Sequence, residues 1–377
     1  MAEHALLHEG IEVPHNPNDK PIKYGLSPLR VLRGALCLLV LLYTSFMMLV
    51  YFAFFSAVIL RFFSVHHSRN GTCFLFGTWL ALWPFLFEKI NKTKVIFSGD
   101  DVPSRERALL ISNHRTEVDW MYIWDLALRK ERLGYVKYIL KNSLMKLPIF
   151  GWAFHILEFI PVARRWEVDE TNMHQILSTF KDPRDSLWLA VFPEGTDFTE
   201  QKCIRSQKYA AENGLPVFKN VLLPKTKGFL ACLEELSFSL DAVYDLTIGY
   251  KNRCPSFLDN AFGVEPAEVH IHVRRIPVNE IPISEDDTGS WLVNTFSLKD
   301  RMLTDFYSQG YFSHDAKELH LSTATCLLNC LIVLVFTGIG TYFTFFSSVW
   351  FRIYVLLVCA YFASATFLHV RPVPLIK

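Results

Sequence analysis

The sequence of 377 residues lacks the features that mark several common classes of protein. Lysine and arginine total 38 against 37 aspartates and glutamates, so no excess of positive charge favours binding to nucleic acid. None of the eight cysteines forms a Cys-x-x-Cys pair, which predicts reduced packing residues and no redox or zinc motif. A Gly-x-Ser-x-Gly nucleophile elbow is absent as well, which argues against a serine lipase or esterase.

What the chain does contain is an excess of apolar residues, 51% of the total, gathered in long runs near its two ends. The first 33 residues are polar and include four prolines, so 1–33 is expected to be a flexible cytosolic arm and not a signal peptide. Residues 34–60 carry no charge, and as a helix they would rise about 40 Å, more than the roughly 30 Å of hydrocarbon in a bilayer. They predict a transmembrane helix.

The second apolar run, 71–87, is shorter and contains Pro84. Within an N-terminal membrane region of 34–90, this run is expected either to span the bilayer or to be re-entrant. Residues 321–369 predict a C-terminal transmembrane hairpin that turns near 346–349. If both N-terminal runs span, the basic residues that flank them place the arm and the central part of the chain together in the cytosol. The sequons at Asn70 and Asn91 would then be a lumenal site close to the membrane and a cytosolic site, and neither is expected to be glycosylated.

The central part, 91–315, has frequent charges and apolar runs of only 4 to 8 residues, as expected for one globular domain. Segments 108–112, 157–162, 187–192, 243–250 and 270–273 are typical of strands, and 169–180 and 291–306 have helical periodicity. Strands that alternate with helices predict an α/β fold, a mixed sheet covered by helices, with apolar transmembrane helices on either side of it in the sequence.

The first strand is followed by a histidine and, five positions later, by an acidic residue, His114 and Asp119. Residues five apart on a helix point about 140° away from each other, so these side chains can meet only if a helix begins between them. Thr116 and Asp119 together resemble a capping box that would start such a helix. Asp119 can then orient the imidazole of His114 as a general base. The alternative is that Asp119 only caps the helix and His114 is an ordinary loop histidine.

Two more strands end in polar residues that suit a phosphate group. One runs into Glu194, Gly195 and Thr196, where glycine permits an unusual backbone conformation and the hydroxyl can bind a phosphate oxygen. The other ends at Arg164 and Arg165. An ordinary turn and a solvated arginine pair are the alternatives for each segment taken alone. Because α/β proteins bind ligands beyond the carboxyl ends of their strands, the three segments together predict one site.

These segments resemble the sequence blocks of the glycerophospholipid acyltransferase family, which includes the 1-acyl-glycerol-3-phosphate acyltransferases. NHRTEVD is similar to the N-H-x4-D block, IPVARR to the second, FPEGT to the third and VLLPKTKGF to the fourth. The resemblance extends over about 90 to 315. With its apolar ends, the chain is most similar to the multi-pass branch that contains plant lysophosphatidyl acyltransferases and animal lysocardiolipin or lysophosphatidylinositol acyltransferases.

The resemblance implies a role for each matching position. His114 would be the general base and Asp119 its orienting partner. The residues that would bind the lysophospholipid acceptor are Arg164, Glu194, Gly195, Thr196 and Pro224. Many family members have arginine directly after Glu-Gly-Thr, whereas this chain has Asp197. The candidates for supplying the missing positive charge to phosphate or CoA are Arg165, Lys202 and Lys225.

The reaction expected from this resemblance is transfer of an acyl group from acyl-CoA to the sn-2 hydroxyl of lysophosphatidic acid, giving phosphatidic acid. Acyl-CoA is a co-substrate, and neither a metal nor another cofactor is expected. One alternative is an acyltransferase that remodels lysophosphatidylinositol, lysocardiolipin or another lysophospholipid, and a non-enzymatic one is a lipid-binding membrane scaffold. The expected location is the endoplasmic reticulum, where a multi-pass anchor would hold the catalytic domain on the cytosolic face of the bilayer.

Overall fold

The structure is a computed structural model that describes residues 25–375 apart from 104, 265, 266, 314 and 318. Most of the expected arm, 1–24, therefore lies outside the described residues. Its last part is not an arm, because a helix begins at Pro28 and not at 34 as the apolar run suggested. Ser27 caps that helix by accepting a hydrogen bond from the backbone N–H of Arg30 at 3.3 Å, and proline is well suited to the first helical position.

Two long apolar helices form the N-terminal region. Helix α1, Pro28–Phe63, contains π-helical turns at Leu49–Ala53 and Phe55–Ile59, and helix α2 is Val65–Ile90. Ser64 separates them: it leaves the helical conformation and accepts the N–H of His67 at 3.3 Å as the cap of α2. Both helices are long and apolar enough to cross a membrane, by length and composition. Their crossing of a membrane stays a prediction.

The α/β domain follows. Its strands are β1 (Lys94–Gly99), β2 (Ala108–Ser112), β3 (Val136–Lys141), β4 (Ile160–Val162), β5 (Trp188–Val191), β6 (Ala242–Tyr250) and β7 (Glu268–Pro277). Its helices are α3 (Asp119–Arg129), α4 (Phe150–Ile156), α5 (Trp166–Ser178), α6 (Glu200–Glu212), α7 (Lys227–Leu236), α8 (Phe257–Phe262) and α9 (Glu285–Gln309). Two further apolar helices, α10 (Thr323–Phe346) and α11 (Val349–Phe367), come last, and both have the length and composition of membrane spans.

The seven strands form one mixed sheet in the order β1-β7-β6-β2-β5-β3-β4. All neighbouring strands are parallel except β6 and β7, which are antiparallel. The carboxyl ends of β2, β5, β3 and β4 therefore lie at the same edge of the sheet. The predicted fold class, a mixed sheet with helices and apolar helices at both ends of the chain, is confirmed.

Helices cover both faces of this sheet, so the central strands β2, β5 and β6 are buried on both sides. In β2 the side chain of Leu110 belongs to the same hydrophobic cluster as Trp79 of α2 and Tyr122 of α3, whereas its neighbour Leu109 belongs to a second cluster, on the other face, that includes residues of helices α5, α7 and α9. The N-terminal apolar helices thus share a hydrophobic core with one face of the sheet. They are part of the fold and not a separate anchor.

Candidate active site

His114 and Asp119 meet at the carboxyl end of β2. His114 lies in the loop after the strand, and Asp119 is the first residue of α3, so the helix begins after the histidine as the spacing requires. The Nδ1 atom of His114 is 3.0 Å from Oδ2 of Asp119. The capping box expected at Thr116 is wrong, because its hydroxyl donates instead to the carbonyl of Pro255 at 2.8 Å. Its backbone N–H donates to Asp119 Oδ2 at 2.9 Å, which fixes the carboxylate.

The surroundings of His114 suit a general base that must keep one ring nitrogen available. The His114 side chain is 17% exposed, while that of Asp119 is completely buried. Burial lowers the pKa of His114, but the hydrogen bond and negative charge of Asp119 outweigh it and leave the pKa above its ordinary value. The ring also packs on Phe192, with 4.5 Å between the centroids. Its Nε2 atom has no hydrogen-bond partner among the described residues.

Tyr250 completes the environment of Asp119 and was not identified from the sequence. It is the last residue of β6, the strand beside β2, and its hydroxyl donates a hydrogen bond to Asp119 Oδ1. Burial raises the pKa of Tyr250 well above its ordinary value, which keeps the phenol protonated as a donor. Both oxygens of Asp119 are thus occupied by donors. Only the position of Tyr250 at the end of a predicted strand could have indicated this contact.

Glu194 joins the first, third and fourth sequence blocks. One oxygen accepts the backbone N–H of His114 and the other accepts that of Leu222, each at 2.8 Å. The residue is only 3% exposed. Burial raises the pKa of Glu194 to about 7, although the two backbone N–H groups partly offset that shift. The carboxyl group therefore holds the histidine loop and the segment that contains Pro224 in register.

Gly195 and Thr196 form a turn directly beyond Glu194. Gly195 has a φ of +71° and donates its N–H to the carbonyl of Phe192 at 2.9 Å, a conformation that favours glycine. The Thr196 hydroxyl donates to Oδ1 of Asp197 at 3.0 Å. Lys202, in the first turn of α6, donates to the Thr196 hydroxyl at 2.9 Å and to Asp197 Oδ1 at 2.8 Å. Lys202 is therefore close to the turn, but Asp197 neutralises its charge.

The fourth block lies against the same turn. The backbone N–H of Lys225 donates to the carbonyl of Pro193 at 2.8 Å. Its Nζ atom would be 3.6 Å from a Cβ placed on Gly195, so the ammonium group lies over the glycine. Pro224, beside it, is buried, whereas Lys225 is exposed. Of the three candidate cations, Lys225 is the one that adjoins the Glu-Gly-Thr turn without an acidic partner among the described residues.

Arg164 and Arg165 lie farther along the sheet edge. Both are exposed in the loop after β4, and Arg164 has a positive φ of 64°. The Asp169 carboxylate fixes this loop by accepting the backbone N–H groups of Ala163 at 2.7 Å and Arg165 at 3.0 Å. Strands β5 and β3 separate β4 from β2, and at about 4.8 Å between strands the arginine loop is about 14 Å from the histidine loop. The site is therefore an extended edge with the base at one end.

Two residues next to His114 stabilise its loop. The side-chain amide of Asn113 donates to the carbonyl of Ile248 and accepts its N–H, at 3.0 and 2.8 Å. The Arg115 guanidinium is buried over the ring of Phe198, 4.1 Å from its centroid, and Phe198 donates its N–H to the His114 carbonyl at 2.7 Å. Across the described part of the chain, no group of three or more His, Cys, Asp and Glu side chains could hold a metal ion.

Comparison with known proteins gives consistent results. Residues 94–251 match the family described as Acyltransferase, and 261–333 match the family described as Acyltransferase C-terminus. The chain is 66% identical over 353 residues to the probable 1-acyl-sn-glycerol-3-phosphate acyltransferase 5 of Arabidopsis thaliana, an alignment that covers 93% of this chain and 94% of that protein. It is 37% identical over 255 residues to lysocardiolipin acyltransferase 1 of Gallus gallus, with 67% of each chain covered.

A solved structure is also similar. The 1-acyl-sn-glycerophosphate (LPA) acyltransferase PlsC from Thermotoga maritima aligns with a TM-score of 0.45 and 14% sequence identity. The alignment covers 74% of this chain and 98% of that one.

Proposed function

The chain belongs to the acyltransferase family of these relatives, and on that premise we propose that it acylates the sn-2 hydroxyl of lysophosphatidic acid with the acyl group of acyl-CoA. The product is phosphatidic acid. The relative that is 66% identical over nearly the whole chain is named for this acceptor. The observation that carries the chemistry is the contact of 3.0 Å between His114 Nδ1 and buried Asp119, which leaves Nε2 available to a substrate.

His114 acts as the general base in this proposal. Its Nε2 atom takes the proton of the sn-2 hydroxyl while the oxygen attacks the carbonyl carbon of the thioester. Asp119 keeps the Nδ1 proton in place and stabilises the imidazolium ion that forms. The new C–O bond is completed as the C–S bond breaks, and the imidazolium returns its proton to the thiolate of CoA. No covalent enzyme intermediate, metal or other cofactor takes part.

The remaining side chains along the edge bind the acceptor. Lys225 lies beside the Glu-Gly-Thr turn and offers an ammonium group to the phosphate of the headgroup. The Thr196 hydroxyl, which donates to Asp197 in this structure, would donate to the phosphate instead when the acceptor is bound. Arg164 contributes a second positive charge from the loop after β4. Glu194 is better suited to positioning than to binding, since its two oxygens already accept backbone N–H groups. Pro224 has a similar supporting role because it is buried.

A second candidate function is acylation of another lysophospholipid, such as lysophosphatidylinositol or lysocardiolipin. Asp197 favours it, because this carboxylate stands at the turn where a headgroup phosphate would bind and forms an ion pair of 2.8 Å with Lys202. Relatives named for lysocardiolipin are 37% to 39% identical over about two thirds of the chain. Such acceptors differ in the headgroup, which Asp197 and Lys202 would contact, and share the reaction at His114.

The test is a panel of lysophospholipids offered to the purified protein with one labelled acyl-CoA. A preference for lysophosphatidic acid by an order of magnitude or more supports the first proposal, whereas the same preference for lysophosphatidylinositol establishes the second. The His114→Ala variant should insert into membranes normally and transfer no acyl group. If no lysophospholipid in the panel is acylated, the result would favour a lipid-binding scaffold. Hydrolysis of acyl-CoA at an equal rate without acceptor would indicate a hydrolase.

We also propose that the protein resides in the endoplasmic reticulum with its α/β domain in the cytosol. Support comes from the four apolar helices and from the basic residues at the outer ends of α1 and α2, among them Arg30, Arg33 and Lys89. Acyl-CoA is water-soluble and its CoA moiety is polar, so a cytosolic site gives it direct access. Co-localisation of the tagged full-length protein with a marker of the endoplasmic reticulum tests this assignment.

A further inference from the structure

A second cavity lies at the edge of the sheet opposite to His114. It is formed by the segments that lead into the mutually parallel strands β6, β2, β5 and β3, and its volume is about 450 Å³. Arg107, directly before β2, is six residues from Asn113, and at about 3.3 Å per extended residue this separation is about 20 Å. The cavity is therefore separate from the acceptor site proposed at the carboxyl edge.

Arginine is the main residue type around this cavity. Four arginines line it, Arg105, Arg107, Arg132 and Arg184, together with one acidic residue, Asp241. Arg105 and Arg184 are exposed, and Arg132 is half-buried. Arg107 is only 5% exposed. Guanidinium groups gathered around one cavity repel each other, and this repulsion is relieved when an anion lies between them.

The guanidinium group of Arg107 is fully hydrogen-bonded, but its charge is not neutralised by direct contact with a carboxylate of the described residues. It donates to the carbonyls of Phe180, Asp182, Asp185 and Ser239 and to the Ser239 hydroxyl, so all five N–H donors are used. Burial lowers the pKa of Arg107, and the negative charges of nearby aspartates only partly offset that effect. Arg107 thus supplies positive charge to the cavity, while direct contacts with an anion are left to the other arginines.

The two carboxylates nearest to the cavity leave donors available. Asp182 accepts a hydrogen bond from Arg184 at 2.6 Å, but the Arg184 side chain is 77% exposed, and exposed pairs of this kind are weak. Asp241 accepts the backbone N–H of Arg107 at 2.8 Å. Arg105 forms no ion pair with any residue that the structure describes. Arg105 and Arg184 are therefore the side chains that can turn toward an anion.

The cavity also lies close to α2, one of the four apolar helices. Arg132 is two residues from Gly134, and a Cβ on Gly134 would lie 1.9 Å from the carbonyl oxygen of Cys73 in α2. Asp185, beside the cavity, forms an ion pair of 2.7 Å with Arg69 of the same helix. Since α2 has the length and composition of a membrane span, phospholipid headgroups are among the anions within reach.

We propose that this cavity binds the phosphate group of a second ligand, apart from the site of acyl transfer. The planar guanidinium groups of Arg105 and Arg184 bind its oxygens directly, because their forked donors match a phosphate. Phe238, which lines the cavity with a fully exposed side chain, offers an apolar surface to whatever the phosphate is attached to. The phosphate belongs either to an anionic phospholipid or to a soluble ion, and the experiment separates these two sources.

The first test measures how fast phenylglyoxal modifies individual arginines of the purified full-length protein in neutral detergent, read by mass spectrometry of its peptides. Three probes are compared at constant ionic strength: inorganic phosphate, dihexanoyl phosphatidic acid and dihexanoylglycerol. The last differs from the second only by its missing phosphate. The proposal predicts that a probe with phosphate slows the modification of Arg105 and Arg184 several-fold. Arg301, exposed on α9, is the internal control and should react at an unchanged rate.

Each outcome of this comparison has a definite meaning. Protection by phosphatidic acid at a much lower concentration than by inorganic phosphate supports a lipid headgroup, and equal protection by the two supports a soluble phosphate. Protection by neither probe overturns the proposal. It is also overturned if dihexanoylglycerol protects equally well, or if Arg301 is protected to the same extent as Arg105 and Arg184, because the effect would then not depend on a phosphate bound in this cavity.

The second test compares the double variant Arg105→Ala/Arg184→Ala with Arg301→Ala. All three positions are exposed, so both proteins should keep the native Tm. Equilibrium dialysis with the labelled form of the more protective probe measures the amount bound per chain. The double variant should lose one bound molecule or bind it several-fold more weakly, whereas Arg301→Ala should bind as the native protein does. Unchanged binding by the double variant overturns the proposal. Neither test depends on acyl transfer, so each remains valid if the proposed function fails.

Discussion

The hydroxyl of Tyr250 donates a hydrogen bond to one oxygen of Asp119, and the other oxygen of that carboxylate lies 3.0 Å from Nδ1 of His114. Asp119 is therefore held from the side opposite to the histidine it orients. A carboxylate fixed at both oxygens keeps the imidazole in one position and favours one tautomer, with the proton on Nδ1. The geometry of the base thus depends on a residue of another strand.

Replacing Tyr250 by phenylalanine should reduce activity without changing the binding of substrates. The substitution leaves a buried oxygen of Asp119 without its donor, which costs about 1–3 kcal/mol of folding free energy. We expect kcat to fall several-fold with KM nearly constant, and the acid limb of the pH profile to move upward because Asp119 then stabilises the imidazolium more strongly. Kinetics as a function of pH measure both effects.

The matched control is Tyr244→Phe on the same strand. Tyr244 is also buried, but its hydroxyl donates to Glu106, which additionally binds Arg275, at the opposite end of β6. The Tyr244→Phe substitution should therefore leave kcat and the pH profile unchanged. Equal losses of kcat in the two variants would mean that Tyr250 acts only through general stability.

Asp119→Asn should move the acid limb of the pH profile to lower pH, opposite to the shift expected for Tyr250→Phe. In the native protein the pKa of His114 is raised, so the neutral base is lost as the pH falls through a value above 6.5. Without the negative charge of Asp119 that pKa falls, and the acid limb of kcat/KM should move to lower pH. The amide also offers an N–H to Nδ1, which favours the wrong tautomer. We therefore expect kcat to drop by about 10²–10⁴-fold. An acid limb that stays at its native pH would refute this role.

Glu194→Gln should destabilise the protein although the two side chains have the same shape. The amide nitrogen of glutamine would face the N–H of His114 or of Leu222, and two donors repel each other. Because the pKa of Glu194 is raised to about 7, this residue also makes the stability of the native protein depend on pH. Between about 4.5 and 7 the folded state keeps a proton that the unfolded state releases, so this group makes the native protein less stable as the pH rises.

Thermal unfolding of the purified protein in detergent, measured at several pH values, tests this prediction. The glutamine variant should have a lower Tm at every pH and should lose the part of the pH dependence that lies between about 4.5 and 7. Glu212→Gln, at an exposed position of α6, is the control and should leave the pH dependence as it is. A Glu194→Gln curve that parallels the native one would show that Glu194 does not titrate in this range.

Asp197→Asn should improve the binding of an acceptor with a phosphate headgroup. The substitution releases Lys202 from its ion pair and leaves the ammonium group beside the Thr196 hydroxyl. We expect KM for lysophosphatidic acid to fall several-fold with little change in kcat, and Lys202→Ala to raise it. Glu200→Gln removes one exposed negative charge from the same helix and should have no such effect. An unchanged KM in Asp197→Asn would show that Lys202 takes no part in binding the phosphate and that Lys225 and Arg164 supply the positive charge without it.

The parts of the fold that could be predicted from sequence are those that depend on local patterns. Strand β2 has the predicted bounds because its five residues, four of them apolar, are all buried and polar residues follow directly. Strand β4 begins only at Ile160 and not at 157, since Glu158 has a positive φ and its buried carboxylate pairs with Arg69 and Lys137. Strand β3 was missed because it contains Lys137, whose burial depends on partners far away in the sequence.

In the site too, contacts between residues close in sequence could be predicted, whereas contacts between distant residues could not. His114 and Asp119 are five residues apart, and their spacing was enough to predict both the contact and a helix start between them. Tyr250 is 131 residues from Asp119, and no local pattern indicates that its hydroxyl reaches the carboxylate. The acidic partners of Arg69 are likewise 89 and 116 residues away, so the arginine could only be interpreted as a charge that flanks an apolar run.

The four apolar helices α1, α2, α10 and α11 also have a consequence for the order of synthesis. Helices α1 and α2 leave the ribosome before the α/β domain, whereas α10 and α11 emerge after it. Until then Tyr43 and Tyr51 lack the hydroxyl partners that Thr341 and Thr344 later supply. A nascent chain must therefore shield one incomplete helical surface, in lipid or by a chaperone, while more than two hundred residues of the central domain are made. Truncation before α10 would leave that surface permanently open.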